Sequence, residues 1–293
     1  MILKDLRQIT VLGLGLLGGS IGSAVLRCFP GVKVVGYAHR PSTRAKARRL
    51  AVATEIIDDI GQSVSAADLV ILATPISTFE KFFSQIAGAL PAGCIVTDVG
   101  STKVWPHRWA AKMLPENVHY VGSHPIAGSE QRGVEFARDD LFDRAICILT
   151  TTKKTNRKAV QTLKKFWTAL GCCVKLMRPA EHDKIFANVS HLPHITAAAL
   201  INANNNEELK FAGKGFIDTS RIASGPANIW ADVLVTNANN VARGIDKITL
   251  ELANLRKAIT SQNKKQIEAM LKAAKRKREA LINYKMKRRE LIP

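Results

Sequence analysis

From residue 9 to about residue 176, short apolar runs alternate with stretches of helical periodicity. The runs are ITVLGL (9–14), KVVGY (33–37), LVILAT (69–74), CIVTDV (94–99), VHYVG (118–122), AICILT (145–150) and CCVKL (172–176). Most are continuously apolar rather than alternating, the pattern of strands covered on both faces. Segments 76–89, 102–113 and 156–170 read as helices between them. This order predicts an α/β fold with a doubly wound, mainly parallel sheet. After Pro179 the strand pattern stops. Residues 180–204, 226–240 and 241–290 read as helices, with a glycine-rich connector at 211–215. Val241, Ile245, Ile248, Leu252, Leu255 and Ile259 recur at spacings of three and four, which makes one apolar seam along a helix. The expected division is an N-terminal α/β domain over 1–178 and an all-helical domain over 179–293, whose seam dimerises two copies of the chain.

The first run ends in Gly13-Leu14-Gly15-Leu16-Leu17-Gly18, and a helix opens there. A GxGxxG in this strand–turn–helix context is the dinucleotide signature of a Rossmann-type domain. Gly13 allows the tight turn, Gly15 lets a pyrophosphate approach the backbone, and Gly18 permits close helix–strand contact. The phosphates then lie over N–H groups at the helix start, including those of Leu16 and Leu17. Thr74, the last residue of the third run, and Pro75 directly after it are assigned to the same site. A glycine-rich turn without a ligand is the competing reading. An acid is expected near the end of the second strand to bind the ribose hydroxyls, but Ala38 stands there, followed by Arg40, Ser42, Thr43 and Arg44. A guanidinium beside hydroxyls suits a 2′-phosphate. NADP is therefore favoured, with NAD possible and Arg44 a further candidate for the phosphate. The same residues also suit an ordinary helix start.

Net charge changes the range of partners. The chain of 293 residues carries +19, and residues 264–293 hold eleven Lys/Arg against three Glu. A basic surface favours anionic small molecules, nucleic acid or an acidic membrane face without choosing among them. The basic end keeps apolar residues at helical intervals and only Tyr284 as an aromatic, so it reads as a solvated amphipathic helix rather than a nucleic-acid tail. Residues 9–26 are eighteen uncharged positions, yet five glycines interrupt them and no small-residue cleavage site follows, which argues against export and against a membrane span. Five cysteines without a CxxC point to reduced thiols and a cytoplasmic protein.

Four polar segments carry the candidate chemistry. They are Asp98-Val99-Gly100-Ser101-Thr102-Lys103, Gly122-Ser123-His124-Pro125-Ile126-Ala127-Gly128-Ser129-Glu130, His182-Asp183 followed by Ser190-His191-Leu192-Pro193-His194, and Asp218-Thr219-Ser220-Arg221-Ile222-Ala223 with Trp230 beyond. The first two follow the ends of expected strands, where open α/β sheets bind ligands. In this order and spacing the chain resembles the prephenate/arogenate dehydrogenase family of tyrosine biosynthesis, and its monofunctional prephenate dehydrogenases in particular, from the glycine loop to about residue 262.

That resemblance implies a Rossmann domain followed by a helical, dimerising domain. It implies an oxidoreductase that converts prephenate and NAD(P)+ to 4-hydroxyphenylpyruvate, carbon dioxide and NAD(P)H. By the same resemblance His124 is the catalytic histidine, accepting the proton of the 4-hydroxyl, and Ser101 bonds that hydroxyl and the imidazole. Arg221 clamps a substrate carboxylate, His191 and His194 lie near the substrate side chain, and Trp230 and Glu130 line the pocket. Residue chemistry agrees: an imidazole titrates near neutrality, and a guanidinium presents a planar fork of donors. Asp218 could instead pair with Arg221 and leave neither available. His191 and His194 lack a third ligand at metal-site spacing, so no metal is expected. His39, His107 and His119 have no motif and read as surface or packing residues. Lys103 invites comparison with a catalytic lysine, but its partner segment SHPIAG argues otherwise. Lys214 departs from the glycine frequent in the family.

Two competing activities stay open. Arogenate, or both substrates, is one; a histidine at 194 offers no fixed negative charge for arogenate's ammonium, which favours prephenate. The other is a non-catalytic, NADP-sensing or nucleic-acid-binding basic protein, against which the set of His124, Ser101 and Arg221 argues.

Overall fold

The fold comes from a computed structural model that describes residues 6–127 and 131–287. The chain forms two compact units, Met1–Ala238 and Asn239–Pro293. In the first unit the strands are β1 (Gln8–Leu12), β2 (Lys33–Tyr37), β3 (Glu55–Ile57), β4 (Leu69–Leu72), β5 (Ile95–Asp98), β6 (His119–Tyr120), β7 (Gly122–Ile126), β8 (Ile146–Thr150) and β9 (Cys173–Met177). Its helices are α1 (Leu16–Cys28), α2 (Pro41–Arg49), α3 (Ile60–Val64), α4 (Phe79–Ile86), α5 (Val104–Met113), α6 (Arg157–Ala169), α7 (Pro179–Phe186), α8 (Leu192–Asn202), α9 (Asn206–Leu209), α10 (Lys214–Ser220) and α11 (Ala227–Thr236).

The expected parallel sheet is present, in the order β3-β2-β1-β4-β5-β6 with every pairing parallel. Both faces are covered. Ile9 and Val11 of β1 and Leu69 and Ile71 of β4 join one apolar cluster with α1 and α6, whereas Leu12, Val70 and Leu72 join a second with Phe79, Phe83 and Ile86 of α4. That two-sided burial is why the runs read as continuous rather than alternating. The helices follow their periodicity: in α6, Ala159, Val160, Leu163, Phe166 and Trp167 are buried, and Asn156 caps the start by accepting the Ala159 N–H at 3.0 Å.

The strands of the first unit differ from the sequence reading in two places. The three-residue strand β3 was not expected, being too short to show a pattern. The strands after residue 121 also leave the main sheet. Only Val121 separates β6 from β7, and β7 then pairs antiparallel with β8, which pairs parallel with β9. A second, three-stranded sheet results, and it carries His124 in its first strand.

β1 and β4 are neighbours although α1, β2 and β3 lie between them in sequence, so the chain reverses direction across the sheet at this pair. The loops after β1 and β4 meet at its carboxyl edge, the usual place for a ligand in such sheets. Residues 179–238 also pack within this first unit. Asp183 of α7 accepts the N–H groups of Lys103 and Val104, Thr236 bonds Thr102 at 2.9 Å, and the Ser77 hydroxyl donates to Asp232 at 2.5 Å.

In the second unit the expected helix over 241–290 is two helices, α12 (Ala238–Thr260) and α13 (Lys264–Lys287). Gln262 adopts a left-handed φ of 51°, and Asn263 caps α13 by accepting the Gln266 N–H at 3.0 Å. The seam lies within α12. Val241 is buried, but Ile245, Leu252 and Ile259 remain 39%, 60% and 54% exposed. Among the described residues no helix is long and apolar enough to cross a membrane.

The tight seat of α1 on its neighbours generates a stability prediction. A Cβ at Gly22 would run into the Val52 carbonyl oxygen, which belongs to backbone and cannot rotate away. Gly22→Ala should therefore destabilise the fold by about 1–3 kcal/mol, read as a lower urea midpoint with unchanged slope. An unchanged midpoint would show that α1 can slide on the sheet.

Candidate active site

The glycine loop forms the cradle its spacing predicts. Gly13 has a φ of +101°, and a Cβ there would lie 2.6 Å from Thr74 Cγ2 and 2.8 Å from the Ala73 carbonyl oxygen, so the β1 and β4 loops touch only because no side chain stands between them. A Cβ at Gly18 would strike the Gly13 carbonyl oxygen, whereas one at Gly15 would meet nothing within 4 Å. The open side of the loop is thus at Gly15, the residue that precedes α1. No side chain caps this helix and no acid lies in its first turn. The N–H groups of Leu16, Leu17 and Gly18 are left for an anion. Pro75 opens the short turn Ile76–Thr78, and Thr74 bonds Thr78 at 2.8 Å on the facing loop. This arrangement fits the pyrophosphate of a dinucleotide.

At the end of β2, Ala38 is buried, Arg40 and Ser42 are exposed, and Thr43 is half-buried at the start of α2. The expectation for Arg44 is corrected. Its guanidinium donates to the Ala38 and His39 carbonyls at 3.0 and 2.9 Å and pairs with Asp58 at 3.3 Å, so it braces the β2–α2 turn. Arg40, Ser42 and Thr43 keep their candidacy.

His124 of β7 is half-buried, and its Nδ1 lies 2.8 Å from Nε2 of His182 in α7. His182 Nδ1 lies 2.8 Å from Oδ1 of the adjacent Asp183. Asp183 in turn accepts the N–H of Lys103 at 2.7 Å and that of Val104 at 2.9 Å, so it holds the first turn of α5. Phe186 stacks on the His182 ring at 4.4 Å and lies 4.9 Å from the His124 ring, limiting the movement of both. Burial drives the imidazoles toward the neutral form: His182 is pushed down to about 2 and His191 to about 4. His124 lies well below the ordinary histidine range, first through burial and then through His182, Lys103 and His191. Burial raises the Asp183 carboxyl, opposed by its backbone N–H donors.

Beneath this chain lies a buried network that anchors β5 and β7. Lys103 is fully buried, with its ammonium on Asp98 and donating to the Ser123 carbonyl at 2.6 Å. Tyr120 donates to Asp98 at 2.6 Å. Ser123 shares a 2.6 Å hydrogen bond with Thr97 and accepts the Trp167 indole N–H at 3.1 Å. Lys103 is thereby occupied as a structural cation. Ser101 sits half-buried in the turn after β5, where the Gly100 N–H bonds Asp98, and makes no hydrogen bond to His124.

A second group of candidates lies on α8 and α11. Asn237 donates to the Asp183 carbonyl at 2.7 Å and lies 3.2 Å from His191 Nδ1, which continues the chain of contacts begun at His124. His191 meets the Trp230 ring edge-on at 6.3 Å, and His194 stacks flat on Trp230 at 3.6 Å. Gly225 makes this stack possible, since a Cβ there would strike the indole nitrogen. His191 Nε2 and His194 Nδ1 are buried without a hydrogen-bond partner, two polar atoms that a ligand would satisfy. Residues 187–191 form a π turn between α7 and α8, a local widening often found at functional sites. Arg221 opens the turn Arg221–Ser224, which packs on α8, and its side chain is exposed. Lys214 is the exposed first residue of α10. Glu130, with Gly128 and Ser129, lies outside the described residues.

The structure thus joins His124, His191, His194 and Trp230 through direct contacts, but it does so by way of His182, Asp183 and Asn237. The His-Asp pair stood out in the sequence as a polar spot without a role. Asn237 gave no signal at all. His107, read as surface or packing, bonds Thr150 at 2.9 Å and packs edge-on against Tyr120. No group of three or more described His, Cys, Asp or Glu residues is arranged to hold a metal.

Comparison with known proteins bears on this site. The nucleotide-binding domain model of prephenate dehydrogenase matches residues 21–176, and the dimerization domain model of the same family matches residues 178–273. A prephenate dehydrogenase of Bacillus subtilis (strain 168) is 33% identical, covering 95% of this chain and 76% of that protein. A cyclohexadienyl dehydrogenase of Zymomonas mobilis is 31% identical, covering 94% of this chain and 96% of that one. The crystal structure of a prephenate dehydrogenase from A. aeolicus, in complex with hydroxyphenyl propionate and NAD+, superimposes with a TM-score of 0.89 at 32% identity, covering 94% of this chain and 99% of that one.

The depressed histidines predict an acid-labile fold. His107 and His191 are both pushed down to about 4 and His182 to about 2, first by burial, against an ordinary value of 6.5. Below that ordinary value the unfolded chain gains protons that the folded chain refuses, so stability present above it is lost as pH falls toward the folded values. Thermal unfolding should be nearly flat above about pH 7, and Tm should drop between about pH 6 and 4. The drop should be shallower in His107→Gln. A Tm that holds until carboxylates titrate would refute the neutral-histidine core.

Proposed function

The chain belongs to the prephenate dehydrogenase family, and on that premise we propose that it oxidatively decarboxylates prephenate to 4-hydroxyphenylpyruvate with His124 as proton acceptor. The observation that carries this reading is the half-buried imidazole of His124, linked by contacts to the unpartnered ring nitrogens of His191 and His194. A bound nicotinamide supplies the hydride acceptor. The residues of the chain supply position and proton transfer. His124 takes the proton of the ring 4-hydroxyl as hydride leaves the same carbon. The ring carboxylate then departs as carbon dioxide, and the electron pair it leaves behind aromatises the ring to the phenol. A neutral imidazole can accept that proton, and substrate carboxylates nearby strengthen it by favouring its charged form.

The remaining roles follow in the same reading. Ser101 holds the substrate hydroxyl beside His124. Arg221 takes a carboxylate in bidentate fashion. His191, His194 and Trp230 wall the side chain of the substrate, and Glu130 is assigned to the same pocket on family resemblance. Among the described residues no carboxylate bonds His194, which favours a keto acid over an ammonium-bearing substrate there. Residues 179–293 act as the substrate and dimerisation region, with the exposed apolar residues of α12 meeting a second copy of the chain.

The test of the base is His124→Asn. Its kcat, followed by the absorbance of reduced nicotinamide with prephenate present, should fall by about two to four orders of magnitude, with cofactor affinity little changed. Near-normal turnover would sink the assignment.

Cofactor choice rests on Arg40, Ser42 and Thr43. The glycine cradle and the family place a nicotinamide dinucleotide in this chain, and the A. aeolicus relative is described with NAD+. Here Ala38 cannot bond a ribose diol, while Arg40 with Ser42 or Thr43 can meet a 2′-phosphate. A charge-assisted contact of that kind contributes about 1.5–3 kcal/mol, so kcat/KM should favour NADP by roughly ten- to a hundredfold. Arg40→Ala should erase the preference. A wild type that prefers NAD, or a variant with unchanged preference, would show that Arg40 serves only solvent.

A further inference from the structure

We propose that His182 and Asp183 are positioning residues that hold His124 as its Nδ1–H tautomer and so keep its Nε2 bare for the incoming proton. This rests on the reading of His124 as the base. It adds an origin for the form in which that base waits, in a pair of residues that the sequence left without a role.

The direction of every hydrogen bond in the chain follows from its far end. Both Asp183 oxygens face N–H donors that cannot accept: Lys103 N at 2.7 Å on Oδ1 and Val104 N at 2.9 Å on Oδ2. The one acceptor a carboxyl proton could reach is His182 Nδ1, a stronger base than a carboxylate that holds two backbone N–H donors, so the proton rests on the imidazole and the group is a carboxylate. His182 Nδ1, 2.8 Å from Oδ1, must then be the donor. His182 is fully buried, and the Lys103 ammonium is close enough to oppose a second positive charge on it. A neutral His182 that donates through Nδ1 has only a lone pair at Nε2. His124 Nδ1, 2.8 Å from that lone pair, must therefore carry the hydrogen. In neutral His124 the other nitrogen, Nε2, is then the acceptor.

The surroundings hold this arrangement in place. Phe186 packs against both rings. Lys103, His107 and His191 act on His182 from α5 and from the π turn, and each disfavours its protonation. Asn237 fixes the Asp183 backbone by donating to its carbonyl at 2.7 Å. A histidine side chain left to itself in water prefers the Nε2–H form, the wrong one for a base acting through Nε2. The relay reverses that preference before substrate arrives. When His124 gains its proton, the new charge is met through His182 by the Asp183 carboxylate two hydrogen bonds away.

Nitrogen-15 NMR of the full chain labelled at histidine reads the tautomer directly, because protonated and bare ring nitrogens resonate far apart. His124 is identified by the loss of its signals in His124→Asn. The expected wild-type spectrum at neutral pH shows His124 with its proton on Nδ1. In His182→Phe, which keeps the stack on Phe186 but removes the acceptor, His124 should move to the Nε2–H form. With it, kcat should fall by about a hundredfold while KM stays within about threefold. His182→Gln, whose amide oxygen can accept from His124 and whose amide N–H can reach Asp183, should restore the Nδ1–H form and most of the turnover. A wild-type His124 that carries its proton on Nε2 overturns the proposal whether or not any variant folds, and so does an unchanged tautomer in His182→Phe. If the spectra are as expected while His124→Asn keeps its turnover, the tautomer assignment stands and the reading of His124 as the base is what fails.

Discussion

The Asp183 carboxylate is the point at which the two chemistries of this molecule meet. It takes the N–H groups of Lys103, the residue before α5, and of Val104, the first residue of that helix, donors at a helix start that are costly to bury unpaired. It also faces His182, one ring away from His124. One side chain therefore holds the start of a helix of the Rossmann sheet, ties the helical segment beyond residue 179 to it, and bonds the ring that contacts His124. Removal of one partner of a buried charged contact leaves the other uncompensated, at a cost of about 3–5 kcal/mol in comparable cases. Beside it, the buried Lys103 and Asp98 pair ties β5 to β7 through the Ser123 carbonyl. His124 is thus carried on a strand and His182 on a helix.

The nucleotide half obeys a different constraint, one of contact between backbones. The loops after β1 and β4 come together because Gly13 has no side chain, and α1 sits close because Gly18 and Gly22 have none. Among the glycines of this loop, Gly15 alone keeps an open side from which a ligand can approach. Steric exclusion therefore marks the side from which a ligand can reach the start of α1.

Much of this was legible in the sequence for a physical reason: it is local. A strand covered on both faces shows itself as a continuous run, and the glycine loop is contained in six residues. His124, His191, His194 and Trp230 were found through segments whose order and spacing are family features. What stayed hidden depends on contacts between distant parts of the chain. His182 and Asp183 gain their meaning from α5, some eighty residues earlier, and Asn237 from the backbone of Asp183. Arg44 looked like a phosphate ligand because its three bonds to Ala38, His39 and Asp58 cannot be seen along the chain. The strand β3 is too short to have a period. The break between α12 and α13 turns on the left-handed conformation of Gln262, a residue with no special liking for it.

The π turn at residues 187–191 has a geometric consequence for the histidines on either side of it. In an uninterrupted helix each residue advances about 100° around the axis, so His182 and His194, twelve positions apart, would face directions about 120° apart. A π turn amounts to one residue inserted without its rotation, and it takes back about 100° of that difference. The two rings then face nearly the same side of the helix. Pro193 sits at the start of α8, where its missing N–H would otherwise break the ladder. This stretch of chain is consequently a phase element. Its length matters apart from the identity of its side chains, since one residue more or fewer would rotate His194 by about 100° relative to His182.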